Sequence, residues 1–106
     1  MPSGGVLQQG ATLYRVAGGE AAVSGRYWTT VDPEAVSNFR AAAGLFEGNT
    51  AEVVVQARLL NTSGLRVGTA APGPRTPPGA LLVPEVFVPN PATQIRIIRV
   101  SPRGGH

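Results

Sequence analysis

Three positions far apart in the chain carry side chains that could act together on one ligand. Arg15 interrupts the apolar stretch "ATLYRV", Thr29 and Thr30 follow an aromatic pair in "RYWTTV", and Glu85 stands between Pro84 and Val86 in "LLVPEVFVPNP". Each has a plain alternative, since an arginine, a threonine or a glutamate on a strand edge simply faces water. Together they suggest chemistry. A guanidinium forks onto phosphate oxygens, hydroxyls orient a neighbouring carboxylate, and an aromatic such as Tyr27 or Trp28 can stack on a flat heterocycle. A carboxylate in an apolar cleft can accept a hydrogen bond from a sugar hydroxyl as positive charge develops on the ring. That set suits cleavage of a nucleoside glycosidic bond in a diphosphate dinucleotide.

The elements that must hold these residues are short and mostly extended. "ATLYRV" (11–16) is predicted as a strand, with Leu13 and Arg15 on one side and Tyr14 and Val16 on the other. "RYWTTV" (26–31) is aromatic and β-branched, which favours another strand. In "DPEAVSNFRAAAGL" Asp32 suits the N-cap, Pro33 the first helical position and Glu34 the positive end of the dipole. Val36, Phe39 and Ala43 supply the core face of this one main helix of about a dozen residues, and Gly44 ends it. Asn38 and Arg40 then lie on its solvated side.

"AEVVVQARLL" (51–60) is a strand with a near-continuous apolar run, and "LRVG" is a short strand after the turn "NTSG". A Pro/Gly loop without periodicity, "GTAAPGPRTPPGA" (68–80), is of the kind that often carries function or moves. The strand 81–88 carries Glu85, and its prolines suggest an edge strand. "TQIRIIRV" closes the domain. The expected class is α+β, dominated by antiparallel strands, with 1–10 a leader, 11–101 the domain and 102–106 a tail.

With 106 residues there is room for one modest core. No cysteine is present, and the single histidine is the last residue, so thiolate or His-rich metal sites and His-based acid/base catalysis are disfavoured. That also weighs against a ribonuclease. All nine cations are arginines scattered singly, without the basic run and interleaved aromatics of a nucleic-acid platform. No apolar run reaches a membrane span of roughly 18 residues, and the N-terminus has no signal-peptide pattern.

The order "LYRV", "RYWTT", "PEVFV" resembles the Arg…Ser/Thr-Thr…Glu order of mono-ADP-ribosyltransferase toxins. More narrowly, "YRVAGGE…YWTTVDPEAVSNFRAAAGL…NTAEVVVQARL…LLVPEVFVPNP" is similar to toxin domains at the C-termini of bacterial Rhs-repeat and other polymorphic toxins, in particular the TreTu-type group that modifies elongation factor Tu. The likeness spans about residues 12–100. It implies an ADP-ribosyltransferase-like split β-sandwich with NAD as substrate in the cleft and no metal. Arg15 would hold the phosphates or the nicotinamide-side ribose, Thr29 with Thr30 would brace the cleft, and Glu85 would be the catalytic glutamate. Tyr14, Tyr27 and Trp28 complete the implied NAD-binding set. Implied partners are elongation factor Tu and a cognate immunity protein, and the domain would be delivered as part of a larger toxin into a target-cell cytoplasm.

One departure from the family pattern stands out. Arginine-modifying transferases usually place an acid or Gln two residues before the catalytic glutamate, and here that residue is Val83. The acceptor therefore stays open. An NAD glycohydrolase and a non-catalytic β-rich binding module are the alternatives.

Overall fold

The computed structural model describes residues 7–103. In chain order it contains β1 (Thr12–Gly19), β2 (Tyr27–Trp28), a 3-10 turn (Pro33–Ala35), α1 (Phe39–Ala42), β3 (Asn49–Leu59), β4 (Arg66–Thr69), β5 (Pro84–Phe87), α2 (Pro91–Gln94) and β6 (Ile95–Pro102). β3 lies between β1 and β6 in one sheet, and β5 lies between β2 and β4 in the other; every pairing is antiparallel. The chain is thus a small α+β domain of two antiparallel sheets with few helical residues.

The near-continuous apolar run of β3 follows from its place in the middle of the larger sheet, where both faces are covered. Val55, Ala57 and Leu59 join Leu13, Ala17, Trp28, Val86, Val88 and Ile95 in one buried cluster. On the opposite face Val54 joins Val16, Phe39, Ala70 and Val83 in a second. Strand alternation alone divides them: Leu13 pairs with Ala57 while Val16 pairs with Val54.

The predicted helix is replaced by two separate helical turns. Asp32 does cap, its Oδ1 accepting from the Glu34 amide at 2.9 Å, and Pro33 occupies the first turn, which ends at Ala35. Val36 is extended (φ −113°, ψ 122°), and Asn38 takes the left-handed conformation (φ 52°) as the N-cap of the four-residue α1. β-branched Val36, then Ser37 and Asn38, whose side chains compete with helical hydrogen bonds, form the weakest part of the expected helix. Kinking there still lets Val36 and Phe39 pack against the second cluster. Tertiary burial outweighs one extra turn of a helix too short to stand alone.

Two strands are also shorter than predicted. β2 ends at Trp28 because Thr29 turns away from β5 and exchanges both backbone hydrogen bonds with Tyr14 at 2.8 Å. β5 is the central strand of its sheet rather than an edge. Its prolines are tolerated by position: Pro84 begins the strand and Pro89 lies beyond its end.

The leader and tail contribute beyond their expected boundaries. Leu7 packs against the first cluster, and the Gly10 amide donates to the Leu59 carbonyl at 2.7 Å. The Arg103 amide donates to the Glu52 carbonyl at 3.1 Å. The remainder of the predicted leader, 1–6, and of the tail, 104–106, lies outside the described residues. Among the described residues, no helix is long and apolar enough to cross a membrane.

Candidate active site

The reciprocal Tyr14–Thr29 hydrogen bonds tie the small sheet to the outer edge of β1. Beside this tie opens a cavity of about 300 Å³, walled by β1, the Tyr27–Thr29 segment, α1 with the turn after it, and the start of β5. Arg15, Thr29 and Glu85 all line it, together with Tyr14, Tyr27 and Trp28. Thr30 is exposed and not part of the wall. Its neighbour Thr29 is buried because its backbone is committed to Tyr14.

Arg15 reaches off the edge of β1 into the loop before β2. Its Nε donates to the Ala22 carbonyl at 3.0 Å and its Nη1 to the Tyr27 carbonyl at 3.1 Å. Gly25 makes this possible, because a Cβ there would sit within 2.4 Å of Arg15 Cζ. Burial pulls the guanidinium's pKa below its ordinary value, yet an arginine stays protonated in proteins. Two of its five N–H groups are used by these carbonyls, so an orientation is fixed while donors remain for a ligand.

Glu85 lies opposite Gly68 of β4, which has no side chain to meet it. It is half-buried and forms no hydrogen bond or ion pair with the described residues. It is also the one acid in the cavity wall. Desolvation by burial raises its pKa above the ordinary carboxylate value. A carboxylate left without protein partners in an apolar wall is available to a ligand.

Thr29 Oγ1 accepts from the Val31 amide at 3.2 Å, which turns the chain out of β2. The two aromatic stacking candidates separate clearly. Trp28 is 2% exposed and its indole N–H donates to the Gly25 carbonyl at 2.7 Å, so it is a core residue that reaches the cavity wall with little of its surface. Tyr27 is 54% exposed and packs its ring 5.4 Å from that of Phe87, leaving a surface open.

Sequence reasoning passed over Asn49. Buried in the cavity wall, it donates from Nδ2 to the Val16 carbonyl and accepts at Oδ1 from the Ala51 amide, both at 2.9 Å. Both groups lie where the β1–β3 register shifts and Ala51 takes φ 57°. Arg40, expected on a solvated face, instead donates to the Phe46 and Asn49 carbonyls and fixes the turn after α1. The signal available for Asn49 was a lone amide heading a run of strand formers.

Fold and cavity define a small two-sheet α+β domain with one partially desolvated acid and one anchored guanidinium in a shared pocket. Compared with protein-family models, with curated proteins and with solved structures, the chain matches none. Among the described residues no group of His, Cys, Asp and Glu is placed to hold a metal ion.

Proposed function

We propose that the domain is a mono-ADP-ribosyltransferase that breaks the nicotinamide–ribose bond of NAD and transfers ADP-ribose to a protein. The observation that carries this proposal is the meeting of Arg15, Thr29 and Glu85, from three separate segments, on the wall of one cavity. Two antiparallel sheets joined at Tyr14–Thr29 and parting around that cavity suit the split β-sandwich that the family resemblance implies. A volume of about 300 Å³ is at the lower end for ligand sites. It takes the nicotinamide riboside end, with the adenylate half along the mouth.

In this scheme the free N–H groups of Arg15 hold the phosphates. Tyr27 lies against the nicotinamide, and Glu85 accepts a hydrogen bond from a ribose hydroxyl. As the C1′–N bond breaks, its electron pair leaves with nicotinamide and positive charge spreads over C1′ and the ring oxygen. The Glu85 carboxylate stabilises that charge more strongly in its partly dehydrated site than it would in water. The acceptor nucleophile then attacks C1′ from the opposite face and gives up its proton.

Val83 bears on the acceptor. It is buried in the second cluster, with its amide donating to the Ala42 carbonyl and its carbonyl accepting from Ala70. The position two before the glutamate thus offers no polar side chain to orient an incoming arginine. That favours a different acceptor, elongation factor Tu being the one the resemblance nominates, or water, which would make the domain an NAD glycohydrolase. A cognate immunity protein and delivery within a larger toxin belong to the same proposal.

Labelled NAD added with the domain to a bacterial lysate distinguishes these outcomes. Label on a protein band, identified by mass spectrometry, supports transfer; free ADP-ribose alone supports hydrolysis; no consumption of NAD removes both. A milder variant tests the Arg15 anchor. Gly25→Ala puts a methyl group where the guanidinium lies, so Arg15 must leave the Ala22 and Tyr27 carbonyls. NAD affinity should fall roughly tenfold, the value of one charge-assisted hydrogen bond. Calorimetry well below the melting transition checks it, since the two lost carbonyl hydrogen bonds also lower stability.

A further inference from the structure

The larger sheet ends in an uncovered edge. β6 pairs with β3 on one side and, among the described residues, with no strand on the other. It is eight residues long, ends in Pro102, and leaves the main-chain groups of alternate residues facing away from β3. Ile95, Ile97 and Val100 stand opposite Leu59, Ala57 and Val55 on the core-facing side. Ile95 is buried, but Ile97 and Val100 are 38% and 46% exposed, so the cover from the second sheet stops short of this edge. Arg99 pairs with Gln56 and Ile97 with Ala57, which leaves Ile98, 45% exposed, as the extra residue of a bulge.

The other side of the same strand is cationic. Arg96 stands directly opposite Arg58 of β3, and Arg99 follows on the same face. Like charges facing each other across a sheet are unfavourable. Neither Arg96 nor Arg99 forms a hydrogen bond or ion pair through its side chain with the described residues, and β6 itself carries no acid. Arg99 shares the wall of a small second cavity with Asp32 and Glu34, and Glu34 is engaged by Arg103 at 3.7 Å. An added strand that brings carboxylates alongside Arg96 and Arg99 would relieve the repulsion. It would also cover the exposed isoleucines and satisfy the open backbone edge.

We propose that β6 is a docking edge for a protein partner, which adds an antiparallel strand alternating acidic and apolar side chains. A second copy of this chain fits poorly, since pairing two β6 edges sets the arginines of one beside those of the other. Main-chain hydrogen bonds would provide affinity and the alternation specificity, as in other strand-addition complexes. The surface is separate from the cavity, so this proposal stands whether or not the domain uses NAD.

A labelled eight-residue peptide alternating valine and glutamate, matched to the length of β6, serves as the probe, and its valine–lysine counterpart as the control. The acidic peptide should bind the whole chain saturably at low salt, more weakly as salt rises, and slow the exchange of those amides in 96–101 that point away from β3. The double variant Arg96→Glu, Arg99→Glu should bind it roughly tenfold less tightly or worse and gain affinity for the lysine peptide. Any of five results overturns the proposal: no saturation, equal binding of both peptides, protection confined to another surface, protection in the free chain of those amides in 96–101 that point away from β3, or a chain that elutes as a dimer through this edge.

Discussion

Glu85→Gln should lower ADP-ribosyl transfer by about 10²–10³-fold, the usual loss when one preorganised group facing transition-state charge is removed. The domain should melt no lower than the parent. Glu85 has no hydrogen bond or ion pair to lose within the described residues, and its charge is partly desolvated without compensation. The amide keeps the shape and removes the charge. Since burial raises the carboxyl's pKa in the folded state, the folded chain holds this proton more tightly than the unfolded one. The associated stability is fully present below the unfolded-state pKa and is lost as pH rises through the higher folded-state value. The variant should therefore match the parent's melting temperature in acid and equal or exceed it at neutral pH. Transfer by the parent should fail on the acid side at a higher pH than an unburied carboxylate would set, because only the ionised form stabilises the ribosyl cation. Single-turnover rates with labelled NAD, read beside thermal melts across the acid range, test both statements. Undiminished transfer by the glutamine variant would remove Glu85 from the mechanism.

The same residue shows how much the sequence discloses. A carboxylate among prolines and valines was legible as an anomaly, and so was an arginine inside an apolar strand. Both line the cavity, Arg15 by reaching off the edge of β1 to the Ala22 and Tyr27 carbonyls, and Glu85 from the start of the central strand of the smaller sheet. The strands themselves were legible where β-branched residues run on, as in "AEVVVQARL". What escaped was everything decided by nonlocal contacts. The 32–44 segment has the caps of a helix, yet it breaks where β-branched and side-chain-bonding residues meet the demand to bury Phe39. Thr29 carries strand propensity, but its backbone is claimed by Tyr14. For Trp28 the sequence leaves stacking and core both open, and its burial in the first cluster and its hydrogen bond to Gly25 place it in the core. The prolines of 81–91 signal local backbone restriction without saying which neighbours flank β5.

The largest loss of stability should come from Gly44→Ala. Gly44 follows α1 with φ 62°, and a Cβ built there would sit within 1.9 Å of the Ala71 carbonyl oxygen. A left-handed non-glycine residue costs about 1 kcal/mol, and forced overlap in a packed site adds roughly 1–3 kcal/mol. The backbone oxygen cannot swing aside as a side chain would, because the segment it belongs to is tied down on both sides. Thr76 Oγ1 donates to the Ala41 carbonyl at 2.6 Å and accepts from the Gly73 amide at 3.0 Å, while the Ala70 amide donates to the Val83 carbonyl at 2.9 Å. A total of about 2–4 kcal/mol corresponds to a fall in melting temperature of roughly 10–20 °C for a domain of this size. Gly68→Ala is the matched control: its φ is not in the left-handed region and a Cβ there meets nothing within 4 Å, so its melting temperature should stay close to the parent's. The consequence extends to the pocket. Gly44, Leu45 and Phe46 form one wall of the cavity, and the proline-rich segment packs directly behind Gly44. Forcing the two apart should weaken NAD binding even below the melting transition. Equal melting temperatures for the two variants would mean that the segment yields freely. The Gly44–Ala71 contact would then not be what holds that wall in place.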